Sequence, residues 1–445
     1  MGPCSSPRLQ HYALQLRPLL SQRLFPVNLA SLRCSHSSAK NTGPLRGVRI
    51  LDLSRVLAGP FCTQILADYG ADVIKIEQRS IGDDTRSWRT DGEHKLWKGA
   101  NKELSAYFST INRNKRSVTL DLKSHKGQHI LLDLVKRADV VIDNFVPGKL
   151  DELNIGYERL RQANPTVIHA SISGYGQTGP YAHRAGYDVI AAAEGGLLHI
   201  TGEPSGRPMK PGVGLTDMCT GLYMHGAILA ALRSRDVTGQ GQRVDTSLFE
   251  TQVSLLANVA MSWLNCGQEA RRWGTGHPSI VPYDCFRTAD SWFVVGAVND
   301  RQFRKLCGLL GRAALGEDER FLTNDARVRN RRELNGLLDG LFSERSTSDW
   351  FAAFEGSGMP YGPINTMEKV FEHPQTLARG MVETVCDDSA VSGEIKVLGI
   401  PVKFSQDKPS VRSRAPRLGE HTDDVLREIG FDANGISELR CEKVV

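Results

Sequence analysis

One carboxylate stands out by its setting. Asp217 follows the glycine-rich PGVGLT and opens a helical stretch, so unpaired backbone amides and the positive end of the helix dipole fall near its oxygens. A carboxylate so placed stays ionised and can attack a thioester, and the same amides could hold the oxyanion that forms on the attacked carbonyl. It can equally be a plain N-cap, and residue type and position alone favour the cap. Other chemistries lack their residues. The loop SRVLAGPFCTQ after the first β-rich run has one glycine where a dinucleotide fingerprint needs three, and no GxxxxGK[ST], GxSxG or HExxH occurs. Nine cysteines are scattered without CxxC or Cys/His ligand spacing, which supports neither a metal site nor a disulfide framework.

The elements that must position Asp217 read as an α/β fold. From Gly47, short β-rich runs alternate with amphipathic stretches: VRILDL, the helical CTQILADYG, ADVIKIE, then GQHILLDLVKRA before DVVIDNF, and ERLRQANP before TVIHASISGYG. That alternation predicts a Rossmann-like open parallel sheet with helices on both faces. Glycine and proline crowd residues 174–215, which reads as a long ordered loop region. Two long helices are expected next, one from about Asp217 and one over TSLFETQVSLLANVAMSWLN. A hairpin-like FRTADSWFVVGAV and Arg/Leu-rich helices then suggest a smaller α+β domain. SGEIKVLGIPVKFS reads as β structure, and RAPRLGEHTDDVLREIGF as a loop entering a helix capped at Thr422. The resulting division is a leader at 1–40, a large domain at 45–255, a small domain at 275–370, and a segment at 395–445 returning to the large domain.

Composition narrows the partners. The 445 residues carry a formal charge of +5, but residues 1–50 hold seven Arg/Lys and no Asp or Glu, and the remainder has 48 basic against 50 acidic residues. Nucleic acid is therefore not an expected partner. The longest apolar run, around Tyr223–Leu232, falls far short of the ~20 residues of a membrane-spanning helix, so no membrane partner is expected either. An Arg-rich, Ser-rich and acid-free first stretch has the composition of a mitochondrial transit peptide, with removal expected near Arg33 to Lys40 and residence in the matrix.

Ordered motifs from Gly47 onward resemble the class III CoA-transferases, the family of formyl-CoA transferase and carnitine CoA-transferase. They are GVRILDLSRVLAGPFCTQILADYGADVIKIE, NRNKRSVTLDLK at 112–123, ADVVIDNFVPG at 138–148, GYGQTGPYAHRAGYDVIAAAEGGLLHITG at 174–202, KPGVGLTDMCTGLYMHGAILAAL at 210–232, TGQGQRVDTSLFE at 238–250 and APRLGEHTDDVL at 415–426. The resemblance implies ring-shaped subunits whose large domain uses both chain ends, interlocked as an obligate homodimer. It makes Asp217 the catalytic nucleophile, forming first an aspartyl mixed anhydride and then an aspartyl-CoA thioester. No cofactor is implied, because CoA is a carried substrate. The nearest resemblance is to mitochondrial members that take CoA from succinyl-CoA to glutarate, and related dicarboxylates such as 3-hydroxy-3-methylglutarate could also serve.

Carried over residue by residue, the resemblance places Leu120, Asp121, Leu122, Lys123, Asn144, Phe145 and Val146 against CoA, with Tyr187 and Asp188 at the thioester end. Read without it, Lys123 could be a solvated lysine and Tyr187 a packed one. Arg55 and Leu57 depart from the His and Gln of formyl-CoA transferase. Gln78 stands where an arginine contacts CoA, with Arg79 adjacent to substitute, and Glu152 stands where another does. A second, unactivated carboxylate on the acceptor calls for a fixed guanidinium, and Arg113 is the first candidate and Arg55 the second. Three other readings remain open at this stage. They are an α-methylacyl-CoA racemase, which needs an acid/base pair and has histidine at the Tyr187 position, a non-catalytic CoA-binding protein, and, least supported, an NAD-dependent oxidoreductase.

Overall fold

The computed structural model describes residues 42–99 and 103–445; the expected leader lies outside them. The described residues form one compact unit. At its centre six parallel strands, β1 (Arg49–Asp52), β2 (Asp72–Glu77), β3 (Lys115–Thr119), β4 (Val140–Asp143), β5 (Ile168–Ser173) and β6 (Arg243–Ser247), lie in the order β3-β2-β1-β4-β5-β6. β1 pairs Leu51 with Ile74 on one side and with Val141 on the other. Successive residues point to opposite faces. Leu51, Ile74 and Val141 therefore join one core with Leu131, Leu134 and Leu439, while Ile50, Val73 and Ile142 join another with Leu66, Met224 and Ile228. Burial on both faces is why these strands read as unbroken apolar runs.

Two strands escaped that pattern. β3 (KRSVT) and β6 (RVDTS) are polar edge strands. The charges of β3 are tolerated because each is paired: Lys115 with Asp52, and Arg116 with Asp72 and Glu428.

The helix Leu215–Thr238 packs closely on the helix Ala58–Asp68. A Cβ on Gly221 would lie 2.7 Å from the Ala58 carbonyl oxygen, so only glycine permits this approach. The single helix expected over residues 246–265 is two, Leu248–Leu255 and Ala257–Cys266, broken where Ala257 takes a φ of 46°. No residue of the second is buried; Met261, Trp263 and Leu264 are exposed, Leu264 by 73%. No helix of the described residues is long and apolar enough to cross a membrane.

A three-stranded antiparallel sheet of β7 (Tyr283–Arg287), β8 (Trp292–Gly296) and β9 (Tyr361–Pro363) has its own aromatic core of Phe286, Phe293, Phe303, Phe342, Trp350 and Phe354. A hairpin of β10 (Val382–Cys386) and β11 (Glu394–Leu398) follows, so the β structure expected to residue 405 stops at 398. The chain then returns to the edge of the large sheet. The cap of the helix Thr422–Glu428 is His421 and not Thr422, whose hydroxyl instead accepts from the Thr119 amide at 3.1 Å. The His421 amide donates to Ser117, and the Asp121 amide donates to the Val444 carbonyl at 2.8 Å.

Candidate active site

Open α/β sheets bind ligands beyond the carboxyl ends of their strands, where neighbouring connections leave in opposite directions. Here that crevice lies between the loops after β1 and β4. It is a cleft of about 210 Å³ lined by Leu53, Arg55, Ile76, Gln78, Leu120, Asp121, Leu122, Lys123, Phe145 and Lys149, among others. Five of the expected CoA contacts, Leu120 to Lys123 and Phe145, converge in it. Asn144 sits at its mouth, accepting from the Arg55 amide at 2.9 Å and donating to the Arg55 carbonyl at 2.7 Å, which ties the β1 loop to the β4 loop. Val146 turns to a second, smaller cavity. Arg79 is exposed in the turn after β2 and is absent from the lining. Of the three cations on the cleft, Arg55 pairs with Asp84, and Lys149 with the Glu152 that replaces the family arginine; Lys123 has no ion pair among the described residues.

A buried ionic layer supports this mouth. Lys115 donates to Asp52, the Pro60 carbonyl and Asn112, and Lys75 donates to the Ser54 carbonyl and pairs with Asp83 at 2.9 Å. Burial works against the charge of Asp52, but Lys115 and Lys75 outweigh it and hold the carboxyl below the usual range. Burial pushes the Lys115 ammonium down to about 8. The layer fixes a strained turn: Val56 has a φ of 71°, a region costly for a β-branched residue, and its amide donates to Asp83 at 3.2 Å.

Asp217 lies at the third position of the Leu215–Thr238 helix, with Gly214 as the cap residue, so it is not itself the cap. Its own amide donates to Asp188 at 3.1 Å. Gly214 is the meeting point of three segments. A Cβ there would stand 2.9 Å from Leu57 of the β1 loop and 3.6 Å from the Asp188 carboxylate. The cleft mouth, Asp188 and the Asp217 helix are thereby brought together.

The charge state of Asp217 differs from the one expected. Burial, and then the neighbouring Asp188 carboxylate, push its carboxyl up to about 7, outweighing the helix dipole. No ion pair of Asp217 is found among the described residues. Perturbation of this kind, near a cleft, marks a functional carboxyl.

Tyr187 precedes Asp188 and is 63% exposed, so it is not a packed core tyrosine. Tyr107 went unnoticed in the sequence. Its hydroxyl is pushed up by burial and by the charges of Asp217, Asp188 and Asp83, so it lies within electrostatic reach of that carboxylate pair, with its ring edge-on to Trp88. Only an unremarkable AYFSTI surrounds it.

Arg113 requires a correction. Because Lys115–Thr119 is a strand, Arg113 precedes a strand instead of following one, and so stands at the opposite edge of the sheet from the cleft. It is 3% exposed, its Nη2 is 2.7 Å and its Nε 3.1 Å from the Asp68 carboxylate, and Nη1 donates to the Leu398 carbonyl. Its guanidinium is fully engaged in holding the strand-398 segment to the sheet.

A doubly wound sheet thus carries a cleft at its switch point, and the loop after β1 that borders it meets the Asp217 helix at Gly214. The chain belongs to CoA-transferase family III, whose profile matches residues 45–422. It is 52% identical over 444 residues to an acyl-CoA transferase of Fusarium pseudograminearum, covering 100% of this chain and 95% of that one. It is 46% identical over 410 residues to the succinyl-CoA:glutarate CoA-transferase of Mus musculus, covering 92% of each. A crystal structure of a CAIB/BAIF family protein from Brucella suis superposes with a TM-score of 0.78 at 42% identity, covering 87% of this chain and all of that one. The protein is an enzyme of the CoA-transferase type, and the racemase, scaffold and oxidoreductase readings give way to it.

Proposed function

We propose that this enzyme moves CoA from succinyl-CoA to glutarate and related dicarboxylates through covalent intermediates on Asp217. The observation that carries the proposal is the half-buried Asp217 carboxyl, uncompensated by any cation and joined to the cleft mouth through Gly214 and Leu57. The ionised carboxylate attacks the thioester carbonyl, giving a succinyl–aspartyl anhydride and CoA thiolate. The thiolate attacks the aspartyl carbonyl, releasing succinate and leaving an aspartyl-CoA thioester. Glutarate attacks that thioester, and the returning thiolate takes the glutaryl group, which frees the Asp217 carboxylate. The acyl activation is kept throughout, as a thioester or as an anhydride, so the sequence of steps needs no cofactor.

Lys123, the one cation of the cleft with no ion pair among the described residues, suits a phosphate of CoA, above the apolar Leu53, Ile76 and Phe145 and beside the acidic Glu77, Asp83 and Asp121. With Arg113 engaged elsewhere, we assign the distal carboxylate of the acceptor to Arg55, whose loop continues to Leu57 at Gly214. The exposed apolar side chains of the Ala257–Cys266 helix suit a covered face in a homodimer. The acid-free composition of the leader supports residence in the mitochondrial matrix.

Mass spectrometry after incubation with succinyl-CoA and trapping with hydroxylamine or borohydride tests the mechanism. An adduct on the peptide containing Asp217, discharged by glutarate with formation of glutaryl-CoA, is expected. An unmodified protein that still binds CoA would reject it.

A further inference from the structure

The loop that carries Asn144 and Phe145 packs against the large core through Phe145 and stands between two cavities. On one side Phe145 lines the CoA cleft; on the other, Phe145 and Val146 line a second cavity of about 130 Å³ that also reaches Tyr157 and His169. Beyond that packing, polar bonds fix the backbone of the loop. They run through Asp143, at the end of β4. One of its oxygens accepts from the Phe145 amide at 3.0 Å. The other is 2.8 Å from His169 Nε2 and accepts from the Ser171 hydroxyl at 3.0 Å.

His169 lies on β5, is 3% exposed, and has its ring stacked on Tyr157 at 5.9 Å and 15°. Its Nδ1 has no hydrogen-bond partner. A buried imidazole whose only hydrogen bonds are made through Nε2 has its role at that atom: the Nε2–H fixes the rotamer of Asp143 and, through it, the Phe145 backbone. We propose that His169 is a positioning residue for the CoA cleft, holding the Asn144–Phe145 loop against the thioester substrate without touching it. The proposal rests on the assignment of the cleft to CoA.

Two substitutions separate this role from a merely structural one. His169→Gln keeps an amide N–H where Nε2 stands, whereas His169→Asn places its amide where the idle Nδ1 stands. By calorimetry with free CoA, His169→Asn should bind about five- to tenfold more weakly than wild type, the loss expected for one buried hydrogen bond. The KM for the donor thioester should rise by the same factor, while kcat at saturating donor and the KM for glutarate stay within about twofold. His169→Gln should match wild type in all of these. Equal CoA affinity in His169→Asn and wild type, or equal loss in both variants, overturns the proposal. Should His169→Asn fail to fold, Ser171→Ala removes the second donor to Asp143; weaker CoA binding then supports the role and unchanged binding overturns it. A wild-type protein that does not bind CoA at all would instead reject the cleft assignment, and this proposal with it.

Discussion

The Asp188 carboxylate accepts a hydrogen bond from the backbone amide of Asp217 while its charge opposes ionisation of the Asp217 side chain. One residue thus orders the first turn of the helix and keeps its carboxyl basic enough to be a strong nucleophile once ionised. The balance sets the pH at which the enzyme works.

Only ionised Asp217 attacks, so kcat/KM for the donor should rise about tenfold per pH unit below 7 and level off above it. Asp188→Asn retains an oxygen for the Asp217 amide and removes the charge, so the midpoint of the profile should move to lower pH. Stopped-time assays of glutaryl-CoA formation across pH 5–9 check both. A profile flat through pH 7, or one unmoved by Asp188→Asn, would contradict this account.

The same group affects folding. Its folded value of about 7 lies above the ordinary carboxylate value of 3.8, so the folded chain holds a proton that the unfolded chain releases. Stability is therefore lost as pH rises from about 4 to about 7 and stays lost above. Asp217→Asn should raise thermal stability by about 1–2 kcal/mol at pH 8, allowing for partial solvent screening. It should also lower transfer about a thousandfold or more. A melting temperature equal to wild type at pH 8 would count against the raised value.

Arg113 and Arg55 should separate cleanly. Arg113→Ala strands the buried Asp68 carboxylate and should cost about 3–5 kcal/mol of stability, with no selective effect on either substrate's KM. Arg55→Ala should leave the melting temperature within a degree or two, because its pair with Asp84 is exposed, and should raise the KM for glutarate about tenfold, the loss of a charge-assisted hydrogen bond. The opposite pattern would return the carboxylate to Arg113.

Gly221→Ala places a methyl 2.7 Å from the Ala58 carbonyl oxygen. Separating the two helices should cost about 1–3 kcal/mol and shift Asp217 relative to the loop after β1. A fall in kcat at unchanged CoA affinity is expected, read by single-turnover assay beside CoA calorimetry.

Much of this architecture was legible in the residue pattern, and what was hidden has a physical cause. β1, β2, β4 and β5 announce themselves because both of their faces are buried. β3 and β6 do not, since edge strands may carry charge, and overlooking β3 is what put Arg113 on the wrong side of the sheet. The TLDLK segment and the Asn144 loop could be named from resemblance, and five of those residues share one cleft. Tyr107 could not, because proximity to Asp217 arises from helices far apart in sequence. The raised charge state of Asp217 was equally out of reach: it depends on how deeply the helix start sinks and on what faces it, and a string of letters holds neither.

The bond from Asp121 to Val444, with Val444 and Val445 themselves buried against the sheet, has a bearing on the order of assembly. The wall of the cleft nearest Lys123 is braced at Val444, far downstream in the chain. Synthesis must run to that point before the cleft has its native shape, so a nascent chain cannot capture CoA early and fold around it. A chain cut short by a handful of residues would lose substrate binding before it lost its sheet.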